Sequence, residues 1–110
     1  MIPPPTEFTP IDRKVVEFVD VVAGIGFRVI ELEEGEVVPQ HHHDDYDHAT
    51  FIGSGKARLW INGQYVADLK KGRAVCIHAK DEHMWQALEP GTLIACISNA
   101  EMAEQMTKGV

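Results

Sequence analysis

Cysteine is nearly absent from this chain, with two in 110 residues, and no apolar run approaches the ~18 residues that a membrane-spanning helix needs. Cys76 and Cys96 each sit in an apolar run, Ala-Val-Cys-Ile and Ile-Ala-Cys-Ile. Both are expected as buried thiols rather than as a disulfide framework. Basic residues are also few: ten Lys and Arg stand against seventeen Asp and Glu, for a formal net charge of -7. Only Lys70, Lys71 and Arg73 come close together. Phosphate binding wants clustered bases, so no nucleic acid is expected as a partner, and an anionic membrane is disfavoured for the same reason. The opening MIPPPTEFTP has neither the basic start nor the apolar stretch of a secretory signal, which makes the cytoplasm the expected compartment. There is no internal repeat, and no helical period is sustained before the tail, where 99–107 is expected as a short helix or a frayed end.

What is present is a succession of short strand-like segments with turn signals between them. They run over 15–21, 27–32, 37–43, 46–52, 57–61, 65–69, 74–77, 84–88 and 92–98. Glu33-Glu34-Gly35-Glu36, Gly53-Ser54-Gly55, Lys70-Lys71-Gly72 and Pro90-Gly91 punctuate them. Asn62-Gly63 is the sharpest hairpin signal, because both positions of a type I′ turn need positive φ. The layout predicts an all-β barrel or sandwich of one domain. Four prolines in the first ten residues suit an extended arm, one able to lie on the barrel or on a partner subunit. The expected division is therefore an arm over 1–14, a barrel over 15–99 and a tail over 100–110.

All six histidines fall between positions 41 and 83. His41 and His43 are two apart on a predicted strand, so they point the same way and His42 points the other. After Asp44-Asp45-Tyr46-Asp47 the chain has room to turn and set His48 on the neighbouring strand beside the first pair. His83 is distant in sequence but enters another strand after a turn, and a sheet closed on itself brings it to the same spot. Neutral imidazole suits Fe(II), Ni, Zn, Cu and Mn. Three or four imidazoles converging inside a barrel form a site for one divalent transition metal, with chemistry available if a position stays open.

These residues carry a resemblance. Gly35-x5-His41-x-His43-x4-His48-x6-Gly55 resembles the first motif of the cupin family, in which a Glu usually follows the two histidines. Gly72-x5-His78-x-Lys80-x2-His83-x3-Ala87 is similar to the second, Gly-x5-Pro-x-Gly-x2-His-x3-Asn. The resemblance covers roughly 27–98 and implies a small single-domain cupin, a double-stranded β-helix or jelly-roll barrel. It implies His41, His43, His48 and His83 as metal ligands, with His48 in the place of the Glu. His78, Lys80 and Ala87 depart from the second motif. Losing a carboxylate raises the charge at the metal by one unit. That shifts preference away from Mn(II) and toward Fe, Ni, Cu or Zn, with Fe(II) favoured.

Trp85, two residues beyond His83, is expected on the same face, lining the cavity, and Ala87 continues that face. Thr50 and Ile52 continue the face of His48. Tyr46 is the candidate phenolic proton donor. Trp60 is expected on the outer face, where a subunit interface would use it, and His42 toward solvent. His78, before a turn, is read as structural, with a pocket role as the lesser reading. Asp44, Asp45 and Asp47 read as an acidic turn at the rim, or as partners that orient histidine N–H groups. No cation clearly faces the cavity, Arg28 excepted should its register allow, so the pocket reads as apolar or aromatic. Two function classes follow. One is a metal-dependent enzyme acting on a small organic molecule: an Fe(II) dioxygenase-like oxidoreductase, or a Lewis-acid isomerase, cyclase or lyase using Zn or Ni. The other is a non-catalytic cupin that binds a metal or small ligand. Family analogy and the proline arm suggest a homodimer.

Overall fold

The computed structural model describes residues 2–8, 11, 17–22, 25–42 and 47–98, with the strands over 17–28 given by their backbone pairing. Nine strands follow in chain order: β1 (Glu17–Val22), β2 (Ile25–Leu32), β3 (Val37–His41), β4 (His48–Ser54), β5 (Lys56–Ile61), β6 (Gln64–Lys70), β7 (Ala74–Ile77), β8 (His83–Ala87) and β9 (Thr92–Ser98). Each segment read as a strand from alternation and turn residues overlaps one of these strands, with 15, 16, 43 and 46 lying outside the described residues. Among the described residues there is no helix, and so none long and apolar enough to cross a membrane. The segment 99–107 lies outside the described residues.

The strands form two antiparallel sheets, ordered β1-β2-β9-β4-β7 and β3-β8-β5-β6. Leu32, Ile52, Leu59, Ile77, Ile94, Trp85 and Ala57 fill the space between them. The period-two rule decides which residues go there. On β4, His48, Thr50 and Ile52 are buried while Ala49 and Phe51 face out. The β5–β6 hairpin turns through Asn62 at φ 52° and Gly63 at φ 78°, as the dipeptide demands.

Two expectations fail, both for reasons of which face a strand covers. Trp60, expected on an exposed outer face, is 1% exposed. It lies on the outer side of the second sheet, opposite Met84, and Ile2 and Phe8 of the N-terminal segment pack over it with Val37. Its indole N–H donates to the Ile2 carbonyl at 3.0 Å, and the Ile11 amide donates to the Val37 carbonyl at 2.8 Å. The start of the chain thus gives this sheet a second apolar cover. Burial of both faces explains why His83, Met84 and Trp85 are consecutive buried residues. Cys76, expected as buried, is exposed. It pairs with outward-facing Ala49, and a short strand with one covered face buries only alternate members of an apolar run. Cys96, on the inner face of β9, is buried.

On the solvent side of the second sheet, Arg58 donates from Nε to Asp68 Oδ1 at 2.7 Å and from Nη2 to Oδ2 at 3.0 Å. This hydrogen bonding holds the Asp68 carboxyl below its ordinary range against an opposing desolvation, and raises the Arg58 guanidinium.

Candidate metal centre

Three of the four implied ligands are described, and each reaches the interior by a different route. His48 opens β4 on its inward face and is 4% exposed; His83 opens β8 on its inward face and is 2% exposed. His41 ends β3, and simple alternation from buried Val38 would turn it outward. A bulge corrects this. Val38 pairs with Trp85 and His41 with His83, so three steps on β3 match two on β8. The extra residue falls at Pro39-Gln40. Proline has no N–H to give a ladder and is tolerated at bulges, which re-aim the residues after them. Past the bulge, His41 stands directly across from His83.

The rings gather accordingly. The centroids of His41 and His83 are 4.1 Å apart and those of His48 and His83 are 5.2 Å apart. Two imidazoles sharing an ion at ~2.1 Å would have centroids about 4.6–5.3 Å apart at bond angles between square and tetrahedral. The His48–His83 spacing meets this value; His41 and His83 would open by about half an ångström. Among the described residues, no group of three His, Cys, Asp or Glu side chains already has the geometry to hold an ion. His43, the fourth implied ligand, lies outside the described residues, as do Asp44, Asp45 and Tyr46.

The donor chemistry fits a metal. His41 Nδ1 is 2.8 Å from the Pro39 carbonyl and His83 Nδ1 is 2.9 Å from the Asp81 carbonyl. A carbonyl oxygen only accepts, so both nitrogens carry the proton and donate. A neutral ring protonated at Nδ1 has its lone pair at Nε2, the form that ligates, and a fixed partner at the other nitrogen sets the ring's orientation.

The three imidazoles line one cavity of about 10 Å³ together with Ile30, Val38, Trp85, Ile94 and Cys96. This is roughly the room of one water molecule or a bare ion. Trp85 stands where its spacing from His83 puts it, 3% exposed. Ala87, also buried, continues the face. The wall from β2 and β9 was not foreseen: Ile30, Ile94 and Cys96 belong to it only because those strands pair in the opposite sheet. Cys96 Sγ also meets Thr50 Oγ1 at 3.7 Å. Arg28 pairs in register with Cys96, and its side chain is outside the description. His42 is exposed. His78 is exposed too, its Nδ1 3.7 Å from Asp47 Oδ1. Asp47 accepts from the Ala79 amide at 2.7 Å, so this rim carboxylate braces the approach to β8.

No curated protein sequence matches the chain. Solved structures do, at identities that speak for the fold. KdgF from Halomonas sp. superposes with a TM-score of 0.69 at 20% identity, over 76% of each chain. A cupin-2 domain-containing protein from Shewanella frigidimarina gives 0.63 at 19% identity, over 79% of this chain and 83% of that one. The DMSP lyase DddQ from Ruegeria pomeroyi gives 0.62 at 18% identity, over 71% of this chain and 39% of that one. The family model described as Cupin domain matches residues 28–97, well over half the chain and the stretch that carries every histidine, both motifs and the strands from within β2 into β9. The chain belongs to the cupin family.

Proposed function

We propose that His41, His43, His48 and His83 hold one divalent transition metal and that the chain is a metal-dependent enzyme acting on a small, largely apolar organic molecule. An Fe(II)-type dioxygenase is the favoured form. The observation that carries this reading is the pair of imidazoles whose Nδ1–H groups are tied to backbone carbonyls while both rings line one buried cavity with a third. The donor set is all nitrogen, which favours Fe(II), Ni, Zn or Cu over Mn. A bound Fe(II) would supply oxygen activation, and Zn or Ni would supply a Lewis acid.

The residues of the chain have simpler tasks. Ile30, Val38, Trp85 and Ile94 exclude water and favour an apolar substrate part against the metal face. Trp85 is the proposed flat wall for that part, and Tyr46 the proposed proton donor. The same reading places the protein in the cytoplasm as a homodimer. Supporting the dimer, Phe51 and Ile97 are 39% and 42% exposed on the paired strands β4 and β9, where a second copy would cover them.

The test is anaerobic reconstitution with Fe(II), followed by oxygen uptake over a panel of small diketones, phenols and thiols. Uptake that depends on both iron and substrate supports the dioxygenase. Stoichiometric iron with no uptake refutes it. Two other readings have an observation each. The fold likeness to a DMSP lyase favours Lewis-acid lyase, isomerase or cyclase chemistry, which activity with Zn or Ni would establish. The ion-sized cavity favours a non-catalytic metal- or ligand-binding cupin, and tight metal binding with no turnover under any of these metals would establish that.

A further inference from the structure

Asn62 sits on the solvent side of the β5–β6 turn, yet it is bonded to the segment that delivers His83. Its amide donates to the Glu82 carbonyl at 2.6 Å, its Oδ1 accepts from the Glu82 amide at 3.0 Å, and its Nδ2 donates to Asp81 Oδ1 at 3.1 Å. The next carbonyl in this clamp, that of Asp81, accepts from His83 Nδ1 at 2.9 Å. Glu82 also accepts from Gln40 Nε2. Gln40 belongs to the bulge whose Pro39 carbonyl accepts from His41 Nδ1. One turn residue is therefore bonded directly to Asp81 and Glu82, beside the His83 acceptor, and is linked through the Glu82 and Gln40 side chains to the bulge that carries the His41 acceptor.

We propose that Asn62 is a positioning residue for the histidine site, holding Asp81 and Glu82 so that His83 presents Nε2 to the cavity. This rests on the metal-site reading above. A hairpin alone asks less of this position. A type I′ turn also accepts Gly at both places. The side-chain amide, with one donor and one acceptor used on two successive residues of another strand entry, goes beyond what the turn requires. Partners that orient a ligating imidazole typically change metal affinity by about 10–100-fold when lost.

The decisive variant is Asn62→Gly. It keeps the left-handed turn and removes both side-chain bonds. Co(II) is titrated into tag-free protein by absorption, the thermal midpoint is measured, and the His83 tautomer is read from imidazole nitrogen shifts in metal-free protein. The expected result is a midpoint lowered by several degrees with the fold retained, Co(II) binding weaker by 10-fold or more, and a His83 signal that loses its predominant Nδ1–H form. Asn62→Asp, which keeps the turn and the acceptor but sets a carboxylate against Asp81, is expected to weaken Co(II) as well and guards against misfolding of the glycine variant. Affinity within twofold of the parent and an unaltered His83 tautomer in the folded variants would overturn the proposal. Should the parent bind no Co(II), the metal reading fails, and the tautomer in metal-free protein alone decides whether Asn62 positions His83.

Discussion

Replacing Gly55 by Ala should be far more damaging than replacing Gly35 by Ala, although both are motif glycines at positive φ, 74° and 86°. The left-handed backbone costs a residue with a Cβ ~1–2 kcal/mol, and that cost is common to the two sites. They differ in their surroundings. A methyl at Gly35 meets no atom within 4 Å, whereas one at Gly55 meets the Thr92 side chain and comes within 2.8 Å of its Cα. Backbone cannot swing aside as a flexible side-chain tip can, so β9 or the β4–β5 corner must move, at about 1–3 kcal/mol for overpacking. Thr92 is also a hub: its Oγ1 accepts from the Lys56 amide at 3.2 Å and donates to the Glu89 carbonyl at 2.8 Å. The sum for Gly55→Ala is about 2–5 kcal/mol, a large part of the ~5–15 kcal/mol that holds a domain. The midpoint of thermal unfolding followed by circular dichroism should then fall by ~10–20 °C for Gly55→Ala and by about 5–10 °C for Gly35→Ala. Equal shifts for the two variants would refute the claim that close approach to Thr92, rather than φ alone, requires glycine there.

Lys80 holds φ 71°, where the cupin motif has glycine, so Lys80→Gly should stabilise the fold by about 1 kcal/mol, read as a rise in the urea midpoint; a fall would contradict the strained backbone. Trp60→Ala should cost about 3–5 kcal/mol and loosen the N-terminal segment, seen as faster proteolysis before residue 11. For the Arg58–Asp68 pair, the carboxyl has a lower pKa folded than unfolded, so its contribution is present above the ordinary value of 3.8 and is lost as pH falls through the lower folded value. Asp68→Asn should therefore destabilise near neutral pH by under about 1 kcal/mol, the pair being partly exposed, and its effect should vanish in acid unfolding below that window. Phe51→Glu should shift the proposed dimer to monomer in sedimentation velocity, with the thermal midpoint of the monomer little changed.

The strands were legible because turn residues separate most of them, and where one face alone is covered, as on β4, alternation survives in the sequence. The Asn62-Gly63 turn was legible for a narrower reason: few dipeptides accept two positive φ angles. Burial on the second sheet was not, because the cover over Trp60 and Met84 comes from Ile2 and Phe8, some fifty residues away or more along the chain. Cys76 misled through its apolar neighbours, since a run carries no information on which member faces inward. At the site, spacing gave the inward faces of His48 and His83 directly. His41 was expected inward because it shares a face with His43 and the family resemblance makes both ligands; plain alternation from Val38 would have turned it outward, the β3 bulge reverses that, and Pro39 inside an apparent strand was the available signal. The Ile30, Ile94 and Cys96 wall depends on sheet pairing that no local pattern encodes.

The histidine site is tested by the ion content of protein purified without a histidine-affinity step, exposed to excess Fe(II) or Co(II) under nitrogen and desalted. About one ion per chain, lost in His83→Gln with the β-sheet circular dichroism retained, is the predicted result. A folded parent that holds no ion, or a His83→Gln variant that holds as much as the parent, would contradict it.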